Sequence, residues 1–303
     1  MRRWPLSILF VSLLLPGVSF GAVKALVVGG LGGTDIYQER FDDDAATVAQ
    51  ALRSLTQDES AVRLLVGPEA TLDAIDGALQ TFAGDPFEKF ILILIGHGTS
   101  DGRSYRFNIP GPDLTTDELV AGLSSIQSEQ QAVVLASSAS GELLDVLASP
   151  TRVVVTATKS AGEINAVKFG EYFALALGST SADIDRNEIL TLAEAYRYAT
   201  EQTAKFYESR KLFASEHSRI KGEGASDLAL AFLGALQQAQ SNPAVAALLD
   251  ERLDLEVAFH ELKARKPTMK RNDYYGELES LLINISLLQQ KIDAATGWTV
   301  END

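Results

Sequence analysis

The chain has 303 residues, a formal charge of −15, 46% hydrophobic residues and no cysteine. The acidic excess excludes nucleic acid and anionic lipid as natural partners, since both repel such a surface. Absence of cysteine excludes a disulfide frame, lipid attachment at a signal-peptide cysteine and a thiol nucleophile, so stability must come from a buried core.

Arg2 and Arg3 precede an apolar run at 6–15 and the small-residue end Ser19-Phe20-Gly21. That order is the pattern of a cleaved secretory signal over residues 1–21. The run is too short to span a bilayer. The expected mature chain starts near Ala22, leaves no membrane span and is exported to a periplasm or beyond the cell. There, an acidic surface suits basic partners or divalent cations.

From residue 22 to about 177, apolar strand-like runs alternate with amphipathic helices. The first strand, at 24–28, ends in Gly29-Gly30-Leu31-Gly32-Gly33. A helix follows with Ala45, Val48, Ala49, Leu52 and Leu55 at helical spacing. A second strand at 62–66, a helix at 71–82 and a third strand at 90–95 come next. Thr115 and Glu118 have capping-box spacing and open a helix through Leu123. A strand at 132–135, a short helix at 141–147 with Ser140 as its cap, a strand at 152–156 and a helix at 169–177 complete this part. Continuous apolar strands separated by helices imply an α/β fold with a mostly parallel sheet covered on both faces. Ligand sites in such sheets lie beyond the carboxyl ends of the strands.

The rest reads as helical. A stripe of Leu192, Tyr196, Ala199, Thr203 and Phe206 is followed by a polar loop and connecting helix over 216–240. A helical hairpin follows over 241–303. Its arms carry Leu248, Leu255, Phe259 and Leu262, then Leu278, Leu281, Ile285, Leu288 and Ile292, with Pro267 as the break. The second set has the three-and-four spacing of a heptad seam. Lys263, Arg265, Lys266, Lys270 and Arg271 cluster at the bend, and Asn284-Ile285-Ser286 is a sequon inside the seam.

Two strand ends carry the chemistry. The third strand ends in Gly96-His97-Gly98, and the fourth in Ser137-Ser138-Ala139-Ser140-Gly141. A histidine and a nucleophile on rigid strand ends, with glycines beside them, leave room for a substrate backbone. Together with Phe107-Asn108-Ile109-Pro110-Gly111 ahead of Asp113, and with 153–158, these segments resemble the caspase–legumain–clostripain superfamily, most of all the legumain-type asparaginyl endopeptidases. The resemblance covers about residues 23–207 and implies a three-layer αβα sandwich over 22–215. It implies that His97 holds the general acid/base position and Ser138 the nucleophile position. Gly98 and the Ser138 amide take the oxyanion-hole positions. The family's nucleophile is cysteine. Here the turn reads Ser138-Ala139-Ser140-Gly141. A serine hydroxyl needs a positioned base during attack, and that base needs an orienting carboxylate. Asp101 is near His97 in sequence, and the serine-hydrolase motif Gly-x-Ser-x-Gly is absent.

A second motif lies at 183–194. Asp183, Asp185 and Asn187 fall at positions one, three and five of an EF-hand loop, Ile189 supplies the carbonyl at seven, and Glu194 the bidentate carboxylate at twelve. Glu188 stands where glycine normally makes the turn. Calcium is the expected ion. His217 and His260 read as surface and structural histidines, and the glycines at 29–33 as a turn beside the site.

The function expected from these residues is binding of a peptide or protein partner by a non-catalytic, peptidase-like fold. Two alternatives stay open: a hydrolase using Ser138 and His97, and a calcium-dependent structural or assembly protein.

Overall fold

The computed structural model describes residues 23–296 apart from 57, 85, 240 and 241, so the expected leader lies outside the described residues. In chain order the strands are β1 (Val23–Gly29), β2 (Val62–Leu65), β3 (Phe87–Gly96), β4 (Gly98–Ser100), β5 (Tyr105–Phe107), β6 (Leu114–Thr115), β7 (Ser128–Ser137), β8 (Arg152–Thr156), β9 (Ile189–Thr191), β10 (Arg219–Lys221) and β11 (Ala229–Phe232). The helices are α1 (Asp35–Arg53), α2 (Leu72–Phe82), α3 (Thr116–Ser125), α4 (Leu144–Leu147), α5 (Phe169–Ala176), α6 (Leu192–Ser209), α7 (Gly234–Ala239), α8 (Pro243–Arg265) and α9 (Arg271–Thr296).

The central sheet has the order β10-β8-β7-β3-β1-β2. Strands β1, β2, β3, β7 and β8 run parallel, and β10 is antiparallel to β8. Strand alternation explains why both faces are apolar. Val27, Ile93 and Val134 point into one layer with α1, α5 and α6. Leu26, Leu92 and Val133 point into the other with α2, α3 and α4. Each such side chain contributes about 1.5–3 kcal/mol on burial, which stabilises a chain without disulfides.

The capping box predicted at Thr115 forms, with Glu118 closing it, and Thr191 and Glu194 form a second one at α6. The stretch predicted as a polar loop differs. It contains β10, which edges the central sheet, and β11, which pairs with β9. The sheet and its core therefore draw on residues beyond 215. Strands of three or four residues are too short to display alternation, and Gly222 and Gly224 turn the chain at φ of 111° and 81°. Ser140 is likewise not a helix cap. Ala139 precedes a short 3-10 turn at Ser140–Leu143, and the Ser140 hydroxyl meets Thr158 instead.

The helical hairpin is anchored rather than projecting free. Val245, Leu249, Leu288 and Ile292 pack with Ile189, Phe232 and Leu236 in one buried cluster. Pro267 sits in the 3-10 turn between the arms. At the bend, Lys263, Lys266 and Arg271 lie over Phe259, Tyr274 and Tyr275, and Arg265 pairs with Glu277. Among the described residues no helix is long and apolar enough to cross a membrane.

Candidate site at the strand ends

The parallel strands stand in the order β8-β7-β3-β1-β2, so the winding direction reverses between β1 and β3. A crevice opens at such a reversal beyond the carboxyl ends. The loop after β1 and His97 after β3 form its walls. In the register of β3 with β7, Gly96 lies opposite Ser137. His97 and Ser138 are the next residues on each chain, so the two predicted positions are neighbours. Gly98 passes so close that a Cβ there would collide with the Ser138 carbonyl oxygen and the Tyr105 ring.

The His97 side chain is turned away from Ser138. Among the described residues no hydrogen bond joins His97 to Ser138. The His97 imidazole faces the Gly32 backbone. Its ring packs edge-on against Tyr37 and Phe41, with centroids 5.0 and 4.9 Å away. Burial pushes the imidazole below the ordinary histidine pKa; the Gly32 backbone opposes this and nearby Arg40 adds to it. Asp101 turns elsewhere, onto the amides of Arg103 and Ser104, so it does not orient His97. Ser138 is 1% exposed, and its hydroxyl has no hydrogen bond among the described residues. The adjacent Ser137 is the engaged serine, 2.6 Å from the Tyr105 hydroxyl in a buried bond.

The turn itself is held firmly. Ala139 adopts φ 56° and ψ 5°, a left-handed conformation that a side chain disfavours. Its N–H donates to the Glu163 carbonyl at 2.8 Å. The Gly141 amide donates to the Thr158 hydroxyl at 2.8 Å, and a Cβ at Gly141 would strike the backbone of Lys159 and Ser160. Strain of this kind persists only where the surroundings over-determine it.

Sequence reasoning missed one constellation here. Glu163, whose carbonyl holds Ala139, also receives the His217 ring at 2.5 Å and the amides of Lys159 and His217. Burial alone would raise its carboxyl; these partners override burial and hold it below the usual carboxylate range. Nothing in the local pattern joins residues 54 positions apart. Glu216 anchors the same loop, accepting from the amides of Lys168 and Phe169 and from the Tyr207 hydroxyl.

Behind His97, Arg40 stacks over Tyr37 and Phe41 and donates to the Val167 carbonyl. Asp44, one helical turn on, has a buried oxygen with no partner. Burial raises its pKa to about 6, with Arg40 opposing. A carboxyl raised in the folded state stabilises fully below its unfolded pKa, and that contribution is lost as pH rises through the folded value. Asp44→Asn is therefore expected to stabilise the protein by about 1–2 kcal/mol at pH 7.5 and to leave it nearly unchanged near pH 4. Urea melts at the two pH values measure it; equal effects at both would contradict the assignment.

The loop at 183–194 brings together three of its five predicted ligand residues. Asp183, Asp185 and Glu194 each offer an oxygen within 4.8 Å of the others. Glu188 takes the glycine-like φ of 63°. Its side chain explains why a glutamate stands there: it accepts from the Leu236 amide at 3.0 Å and so holds the start of α7. Asn187 turns back on the loop, its side-chain oxygen accepting from the Ile189 amide. Burial, then Glu194, Asp183 and Glu256, raise the Asp185 carboxyl. His260 on α8 lies 4.0 Å from Asp185 and 3.7 Å from Asp227.

Comparison with known proteins finds no family model and no curated sequence that matches this chain.

Proposed function

We propose that this chain is an exported, caspase-like protein of legumain type that binds a peptide or protein partner at its strand ends and does not cleave it. One observation carries the reading: the Ser138 hydroxyl makes no hydrogen bond to His97, while the imidazole that would have to deprotonate it faces Gly32. Serine needs a base in place, and the base needs a carboxylate behind it; neither arrangement exists among the described residues. The motif resemblance and the crevice between β1 and β3 support the caspase-like assignment. Exposed apolar side chains support binding. Ile36 follows the loop beyond β1 and is 80% exposed, and Ile164 follows β8 on the far side of the site and is 70% exposed.

A serine-directed fluorophosphonate is expected to leave the protein unlabelled, and a broad peptide library uncleaved. Selection from a displayed peptide library is expected to yield binders that Ile36→Asp weakens at least about tenfold, the loss of one buried apolar anchor. Labelling or turnover abolished by His97→Ala would replace this reading with a hydrolase.

The loop at 183–194 supports calcium binding beside this function. Three carboxylates of like charge are held together at EF-hand spacing, where a divalent cation relieves their repulsion. The ion must compete with the capping box, since Glu194 already accepts from the amides of Ile184 and Thr191. A weak site follows. About 2 mM calcium is expected to stabilise the chain by about 1–2 kcal/mol through mass action. Asp185→Asn, which leaves the capping box intact, is expected to abolish the effect. A thermal melt unmoved by calcium would end the idea.

A further inference from the structure

Helix α6 runs into a clamped loop that holds two apolar side chains in solvent. The Lys211 amide donates to the Glu208 carbonyl, and the Leu212 amide to the Tyr207 carbonyl. These are the paired bonds of a Schellman end, whose left-handed position glycine usually fills. Here Lys211 takes it at φ 55°. On the far side of the loop the Tyr207 hydroxyl lies 3.0 Å from the Ser215 hydroxyl and donates to Glu216 at 2.9 Å. Glu216 is buried on the amides of Lys168 and Phe169. Leu212, Phe213 and Ala214 span the gap between these anchors. Phe213 is 100% exposed and Leu212 54% exposed. The charge around the loop is opposite to that of the chain. Residues 205–221 carry five Lys or Arg and two Glu, one of them the buried Glu216, in a chain of formal charge −15. Arg210 and Lys211 adjoin the apolar pair and make no ion pair among the described residues. Arg210 and Lys168 both lie over the Phe206 ring, 4.3 and 5.2 Å from its centre, which gathers positive charge beside the loop.

We propose that Leu212 and Phe213 are a docking point for an acidic polypeptide segment in which Asp or Glu flank apolar side chains. The apolar side chains of the partner cover Phe213, and its carboxylates reach Arg210 and Lys211. Charge selects this occupant. A basic polypeptide is drawn to the acidic remainder of the surface and repelled here. A flat anionic membrane, or a second copy at −15, brings negative charge against that remainder as well. A short acidic segment meets the basic stretch alone. The clamped ends add pre-organisation, so Phe213 loses little freedom when a partner covers it. Exposed aromatic and Arg side chains side by side are also the residues that carry most binding energy at interfaces. This docking is independent of what the strand ends bind.

Selection of a displayed random-peptide library on the full chain tests this, with the enriched peptides synthesised and their Kd measured by fluorescence anisotropy. Enriched peptides should combine Asp or Glu with Leu, Phe or Trp. Phe213→Ala should raise their Kd at least about tenfold without moving the thermal melt, since that side chain is fully exposed. Lys211→Gly should weaken them several-fold by removing a charge. It should leave the melt unchanged or raise it, because glycine takes the left-handed angle without strain. The two variants together separate lost contacts from a lost fold. Raising salt from about 50 to 500 mM should also weaken binding. Ile36→Asp, which strikes the strand-end site, should leave these peptides bound. No enrichment, enriched peptides without acidic residues, or acidic peptides indifferent to Phe213→Ala would each overturn the proposal. Peptides lost with Ile36→Asp alone support strand-end binding and overturn this surface. Phosphatidylglycerol vesicles should not carry the chain down on sedimentation. Cosedimentation abolished by Phe213→Ala assigns the loop to a lipid surface and overturns the acidic polypeptide.

Discussion

Ser138→Cys is expected to yield an unreactive thiol. A cysteine there would make a reactive dyad only if the imidazole stood ready to stabilise a thiolate. A free cysteine has a pKa of about 8.5, lowered by a neighbouring imidazolium and raised by apolar burial. In this protein burial lowers the His97 pKa, which disfavours the imidazolium, and the ring faces Gly32. Position 138 is also closed to solvent. Both effects act in the same direction. Alkylation by iodoacetamide at pH 7.5 should run at least about tenfold slower than for free cysteine, should be insensitive to His97→Ala, and should recover in denaturant. Rapid alkylation that depends on His97 would mean the pocket is competent. The serine would then be the only defect, and the hydrolase reading would regain its footing.

That expectation shows how far the residues alone could lead. The long elements of the α/β part were legible because their physics is local. Phe90 to Ile95 is a run only a sheet buried on both faces can hold, and Thr115 with Glu118 announces its helix through two reciprocal hydrogen bonds. The neighbourhood of His97 and Ser138 was legible for the same reason, since two strand ends in a parallel sheet come together once the strands are adjacent. The orientation of the side chains was not. Whether His97 meets Ser138 or Gly32 depends on Tyr37, Phe41 and a glycine loop far back in the sequence. Strands β10 and β11 were hidden because three or four residues give no period to read. Glu163 and Glu216 were hidden because their partners are distant backbone amides, which leave no mark on the residues around them. Glu188 is the opposite case: the mismatch with glycine was visible, but its reason, the start of α7, lies 48 positions on.

Glu216→Ala is expected to destabilise the protein more than any other substitution proposed above, by about 3 kcal/mol or more. The carboxylate is 4% exposed and accepts the Lys168 amide at 2.7 Å, the Phe169 amide at 3.0 Å and the Tyr207 hydroxyl at 2.9 Å. The two amides sit at the start of α5, where a helix has no acceptors of its own. Alanine would leave them unpaired beside the core. At this chain length the loss corresponds to a Tm lower by about 5–10 °C. Glu216→Gln separates hydrogen bonding from charge. Its amide oxygen still accepts from the backbone, so it should cost under about 1 kcal/mol at neutral pH. Burial raises the Glu216 carboxyl above its ordinary pKa, against the bonds that lower it. The wild type therefore loses stability as pH rises through that value, and the glutamine variant should not. The damage from alanine should also travel. Freed from α5, the loop would release His217 from Glu163, and Glu163 from Ala139. Hydrogen exchange should then speed up at Lys168, Phe169 and Ala139 together. If Lys168 and Phe169 alone respond, the loop and the strained turn are independent, and the Ser138 turn is held by Thr158 instead.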